Sequence, residues 1–293
     1  MQKKQTNILF VSLLLFLTFS CSVSKKNIVK NFSDDEKENV FIYLFDEAGK
    51  NRLNGNLQKA EEQYLASLEV NPQSAASYFY LASIYIARKD YQSALNFSKK
   101  AVEINPENYW YLLEKADLLK INGKENDAEI IYKKLLNKNP KNESVYDKLS
   151  EIYSKNNDIK KLIGLYELKS RKYDDSPETL LTLFNLYLKD KNYKKAEQII
   201  TSAEKKYPDD FKIKGTAAEF FYSTGKKEKA EKIYKKLLSE YPDNTDINLS
   251  YAFFCKKTGK EDEYFEITKK LMSSDLDVYK KINLLTSGRY NNF

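Results

Sequence analysis

Two cysteines, no histidine and 42 scattered carboxylates are what this chain offers for chemistry. The missing histidine removes His-based acid–base catalysis, His-containing triads and nearly all zinc hydrolase sites. Ser22-Val23-Ser24-Lys25 and Lys257-Thr258-Gly259 set a lysine near a hydroxyl in the sequence. The first lies in a polar tether and the second in a turn, so both read as coincidence. No glycine-rich phosphate loop occurs, and the carboxylates form no convergent pair. The sequence therefore predicts no catalytic residue, no metal site and no cofactor, and an enzyme ranks last among the function classes.

Cys21 is the exception, because of what precedes it. Lys3 and Lys4 lead into an apolar run from Ile8 to Phe19. That run is too short for a spanning helix, which takes about 20 residues, and fits the core of a signal peptide. It ends in Thr18-Phe19-Ser20-Cys21, which resembles the lipobox of bacterial lipoproteins, in which a small residue precedes the lipidated cysteine. The match departs at Thr18, where leucine is usual; Leu17 stands one step further back. The resemblance implies cleavage after residue 20 and lipid on Cys21, with acyl chains that hold the protein on a membrane. Residues 21–33 read as a polar tether. Ser33 followed by Asp34, Asp35 and Glu36 reads as a helix start, a hydroxyl cap with acids in the first turn.

The elements that must position any binding residue follow from the prolines. Pro72, Pro106, Pro140, Pro208 and Pro242 stand on a period of 34, with one site skipped. Counting from Phe41, units begin at 41, 75, 109, 143, 177, 211 and 245, and those five prolines fall at position 32. Pro177 falls at position 1, where a helix tolerates it. Position 8 carries Ala48, Ala82, Ala116, Ser150, Phe184, Ala218 and Ala252; position 20 carries Ala60, Ala94, Ala128, Leu162, Ala196, Ala230 and Tyr264. Small residues at both let paired helices approach at the short end of the usual range. Large rings recur at positions 11 and 24, and Gly55, Gly123, Gly225 and Gly259 share position 15, a turn after a helix C-terminus. A period of this length means stacked two-helix units.

The second unit, with Tyr78, Leu81, Ala82, Tyr85, Ala94, Ala101 and Pro106, strongly resembles the tetratricopeptide repeat. The resemblance covers residues 41 to about 275. It implies an all-α, right-handed α-solenoid of about seven 34-residue helix-turn-helix repeats, within an array over 34–275. Residues 276–293 are then either a capping helix or an incomplete eighth unit of a longer array, with Ile282 and Leu285 at core positions. Between units four and five the pattern breaks at Leu162, Gly164, Lys169, Asp174 and Phe184, which predicts a soft join over 160–185.

In this family the first helices line a groove with positions 2, 5, 9 and 12. Here those positions and their neighbour give Ile42, Phe45, Phe79, Tyr80, Ile86, Trp110 and Leu113 as a candidate peptide-binding strip, with a more polar lining towards the C-terminus at Asp147, Glu151, Glu178, Asn185, Glu219 and Lys256. The family's Lys/Asn clamp for a terminal carboxylate is absent, since no first helix has the lysine at position 5.

The formal charge is +7. Lysine pairs at 99–100, 133–134, 160–161, 194–195 and 235–236 alternate with glutamates, as a solvated face does, and do not form a nucleic-acid stripe. These readings converge on a protein-binding scaffold or adaptor in a bacterial envelope complex. It would be lipid-anchored through Cys21 to the outer membrane, on the periplasmic or surface side, if the cell is Gram-negative. A glycan- or small-ligand-binding lipoprotein is the alternative.

Overall fold

The computed structural model describes residues 32–286. Among these, all regular structure is α-helical. The helices are α1 (Asp34–Leu53), α2 (Leu57–Val70), α3 (Ala75–Ala87), α4 (Tyr91–Ile104), α5 (Tyr109–Ile121), α6 (Glu125–Lys138), α7 (Glu143–Lys155), α8 (Ile159–Lys172), α9 (Pro177–Lys189), α10 (Tyr193–Lys206), α11 (Phe211–Ser223), α12 (Lys227–Glu240), α13 (Thr245–Thr258), α14 (Glu261–Met272) and α15 (Val278–Thr286). Six first helices begin on the residue at which the 34-residue period starts a unit. The other, α1, starts seven residues early, because Ser33 forms a full capping box with Glu36. The chain divides into two compact units, one ending at Ile152 and one beginning at Tyr153. The signal segment, Cys21 and nearly all of the tether lie outside the described residues.

In the first unit consecutive helices pack in order, α1 on α2, α2 on α3, and so on to α6. The small residues do what their spacing predicts: Ala48, Ala60, Ala82, Ala94, Ala116 and Ala128 are fully buried. Tyr64 and Tyr132 at position 24 are buried beside them. Around Ala48, Ala60 and Tyr64 the core continues into Leu81 and Ile84 of the next hairpin, so no hairpin closes its core alone. The second unit repeats this packing from α8 to α14, with Ala196, Ala218, Ala230 and Ala252 buried. Cys255 is buried too, and burial raises its thiol pKa, as an inert hydrophobe's would be.

Each first helix after α1 is preceded by a polar residue at position 34. Ser74, Asn108, Asn142, Ser176, Asp210 and Asn244 all accept a backbone N–H of the first turn. Such a cap contributes about 1 kcal/mol. Position 15 is left-handed in all seven repeats. Gly55, Gly123, Gly225 and Gly259 have φ of 73° to 83°, and Lys89, Asn157 and Lys191 take φ of 62°, 51° and 58°. The turn geometry is thus fixed by the fold, and only four repeats use the residue that adopts it freely.

Each of the five lysine pairs singled out above puts at least one ammonium on a carboxylate: Lys100 on Glu103, Lys133 on Glu129, Lys161 on Asp158, Lys195 on Glu167 and Lys235 on Glu231. Other ion pairs tie one repeat to the next, as in Lys226–Glu197 at 2.5 Å and Lys260–Glu231 at 2.8 Å. At surface exposure each is worth only about 0–1 kcal/mol.

The soft join over 160–185 is expected from departures at Leu162, Gly164, Lys169, Asp174 and Phe184. Of these, Leu162 and Phe184 are both buried, and Phe184 meets Phe220 edge-on at 5.4 Å. Asp174, which stands where the proline would be, builds its own turn. Its carboxylate accepts from the Ser176 N–H and hydroxyl, each at 2.9 Å, and from the Thr179 hydroxyl at 2.8 Å. Burial pushes this carboxyl up, but those hydrogen bonds outweigh it and leave the pKa lowered. Gly164 is exposed and a Cβ there would meet nothing, so it serves no packing.

At the C-terminal end α15 docks through Leu284, which joins Ala252, Leu271 and Leu276 in one cluster. Ile282 is half-exposed, which corrects the expectation that it is a core residue; the α15 register turns Leu284 inward instead. The side chain of Leu285 lies outside the described residues. Tyr264 donates to the Leu284 carbonyl at 2.5 Å, so the last helix is held by a backbone end as well as by a side chain.

Candidate protein-binding face

The seven strip residues all belong to the first unit and none is buried. Trp110 is 65% exposed and Ile42 47%, while Phe45, Phe79, Tyr80, Ile86 and Leu113 are half-buried. The rings form one path across three hairpins. Phe45 of α1 meets Tyr80 of α3 at 5.8 Å, Tyr80 meets Phe79 at 5.4 Å, and Phe79 meets Tyr111 of α5 at 5.0 Å. Trp110 sits edge-on to Tyr109 at 5.1 Å with its other side open. Each ring is therefore held by a neighbour, which lowers the entropy lost when a ligand covers it.

Beneath this path the polar groups are few. Position 9 carries Gly49 and Ser83, so no large side chain rises from α1 or α3 there. Asp117 of α5 accepts from the Tyr132 hydroxyl at 2.5 Å and pairs with Lys148 at 2.8 Å. Lys120 pairs with Glu151 at 2.6 Å. Glu114 lies deeper, with Oε1 buried and without a hydrogen-bond partner. Burial pushes its carboxyl up to about 8, against the pull of the nearby Ser98 hydroxyl. Burial thus favours the protonated acid to a higher pH than for an ordinary carboxyl.

Helix-pair stacking with this register is matched by three family sequence models. A tetratricopeptide repeat model matches residues 63–96, another matches 181–245, and the N-terminal TPR repeats region of Psidin matches 81–210. Together they span residues 63–245, more than half of the chain. The chain is a tetratricopeptide repeat protein. No curated protein matches it in sequence. Among solved structures, a chain of the Naa15/Naa10 complex bound to HypK-THB aligns over 84% of this chain, at 17% identity and a TM-score of 0.61. The present chain spans 39% of that one, and the likeness is one of fold. A tetratricopeptide repeat protein from Parabacteroides merdae (19% identity, 85% of this chain and 98% of that, TM-score 0.45) is also similar. So is YrrB, described as a TPR protein with an unusual peptide-binding site (15% identity, 58% and 87%, TM-score 0.43).

For this tetratricopeptide repeat protein a search of the family register for apolar residues finds most of the face and misses two members. Tyr111 stands at position 3, which a groove template does not include; it reaches the path because Phe79 leans across to it. Arg52 stands at position 12 and is polar, so a search for an apolar strip passes over it, although its guanidinium lies 4.7 Å above the Tyr80 ring. In the second unit the polar positions are spread out. Glu178 and Asn185 are exposed, Glu219 accepts from Ser250 at 3.2 Å, and Lys256 reaches the Tyr264 hydroxyl at 3.3 Å. They do not converge on a common point.

Proposed function

We propose that this protein is a scaffold or adaptor that captures a protein partner on the aromatic face of its first unit, and that it is tethered to a bacterial envelope membrane by lipid on Cys21. The observation that carries the capture is the path of rings from Phe45 to Tyr111, laterally ordered yet open on one side, with Trp110 most exposed of all. Exposed apolar surface of this kind is costly unless something covers it. The repeat fold supports the same reading, since it supplies an extended surface and no enclosed catalytic site. We assign it no catalytic role.

Phe79→Ala combined with Trp110→Ala tests the face. Each ring of an interface anchor is worth about 2 kcal/mol or more, so partner capture from intact membranes should fall by well over tenfold with helix content unchanged. A large loss of thermal stability with unchanged capture would show that the rings are core residues. The anchor is tested by Cys21→Ser, which should abolish acyl labelling and release the chain or leave it as precursor. Normal labelling in the variant would end the lipid reading.

A further inference from the structure

The proposed face has a charge that no carboxylate among the described residues neutralises. Positions 2, 5, 9 and 12 of the first three hairpins include three charged side chains, Arg52, Asp117 and Lys120. Asp117 is matched by Lys148 and Tyr132, and Lys120 by Glu151. The other arginine nearby, Arg88, is matched by Glu61 at 2.5 Å. Arg52 has no carboxylate partner among the described residues, and its Nε is buried without a hydrogen-bond partner.

Its guanidinium is nonetheless held in place. It lies 4.7 Å over the Tyr80 ring and beside the Tyr64 hydroxyl, whose pKa burial raises against the pull of that same cation. Gly49 lies alongside, 3.8 Å from the Tyr64 hydroxyl when a Cβ is placed on it. An arginine stacked on an aromatic ring keeps its planar fork of donors in a fixed direction, which suits a carboxylate taken two oxygens at a time. Phe45 and Tyr80, the ring under Arg52, are in contact, so the cation stands over the second ring of the apolar path.

We propose that this face takes a peptide segment whose apolar side chains lie along Phe45, Tyr80 and Phe79 and whose carboxylate pairs with Arg52. The inference rests on the capture face proposed above and specifies what that face selects. A basic segment is disfavoured, because it would bring a second cation to one already lacking a partner. Ordinary salt weakens the selection without abolishing it, since the pair forms over rings that exclude water on one side.

Short synthetic peptides test this without knowledge of the natural partner. Each alternates Leu and Phe about one central residue, with acetylated and amidated ends. The central residue is Glu, Gln or Lys, and a fourth peptide has central Gln and a free C-terminal carboxylate. Binding to the full chain is measured by calorimetry. Fluorescence of the single tryptophan, Trp110, reports whether the peptide reaches the face. The Glu peptide should bind about tenfold more tightly than the Gln peptide and the Lys peptide most weakly, with the preference lost in Arg52→Gln. The free-terminus peptide shows whether a side-chain or a terminal carboxylate is preferred; either supports the pairing if Arg52→Gln removes its advantage. Equal affinities for the Glu, Gln and Lys peptides, all lowered by Phe79→Ala, would overturn the carboxylate inference and leave the capture face standing. Affinities indifferent to both Phe79→Ala and Arg52→Gln would overturn both.

Discussion

Substituting glycine for Lys89 or Lys191 should stabilise this protein, although each change deletes a side chain. Both lysines hold φ near +60°, a region that costs an L-residue about 1–2 kcal/mol. Gly123 takes φ of 74° at the same position of its repeat, and a Cβ added there would meet nothing within 4 Å. The preference at this turn therefore comes from backbone geometry and owes nothing to crowding. Against the strain relieved stands the greater freedom that glycine gives the unfolded chain, about 0.5–1 kcal/mol. The net gain is about 0.5–1 kcal/mol per site. Asn157→Gly should gain less, because asparagine visits the left-handed region more readily. Conversely, Gly123→Ala should lose about 1 kcal/mol. Urea unfolding gives the total, and amide exchange in the hairpin concerned shows whether the effect is local, as additive repeat stabilities require. Lys89→Ala is the control and should leave stability nearly unchanged. If it stabilises as much as Lys89→Gly, the gain comes from losing the lysine side chain and the backbone argument fails.

Three further expectations follow from single sites. Gly164→Ala should stabilise α8 by about 1 kcal/mol, since the position is exposed, helical and unobstructed; a loss on thermal or urea unfolding would show that the glycine is needed there. Asp174→Pro would restore the residue of the 34-residue pattern yet should destabilise by about 2 kcal/mol, because it removes the acceptor for Ser176 and Thr179 and the N–H that donates to the Lys169 carbonyl at 2.9 Å; equal or greater stability would refute the role given to that network. Glu114 makes stability fall as pH rises. Its folded pKa of about 8 lies above the unfolded value near 4.5, so the stability it contributes is full below about pH 4.5 and is lost progressively towards pH 8. Glu114→Gln should flatten that part of the profile and be the more stable form near pH 7.5, by up to roughly 4 kcal/mol. Parallel profiles for the two proteins would show that the carboxyl is not desolvated.

Much of the fold was legible because repetition averages out local ambiguity. Six proline sites, small residues at positions 8 and 20 and glycines at position 15 agree on one register, and the first-helix starts at 75, 109, 143, 177, 211 and 245 follow from it. What the period could not supply is anything that departs from it. The early start of α1 depends on Ser33 and Glu36, a local capping pair outside the repeat. The join at Asp174 depends on hydroxyls two and five residues on, which carry no periodic signal. The face was found in outline from family positions, but its continuity depends on ring directions. Tyr111 and Arg52 matter through what they touch, Phe79 and Tyr80 of α3, in the hairpin that lies between theirs.

The ties between repeats also bear on how quickly such a chain can fold. Contacts that join hairpins connect residues about one period apart, such as Tyr85 with Glu61 and Asn142 with Tyr109, separations of 24 and 33. Within each compact unit the loops closed during folding are therefore short however many repeats are added. Closure entropy grows only with the logarithm of loop length, and low contact order goes with fast folding. A hairpin can find its neighbour as soon as about 70 residues of chain are present, without waiting for a distant strand or terminus. A chain emerging vectorially, from a ribosome or through a membrane pore, would thus assemble from its leading hairpins while the trailing ones are still extended.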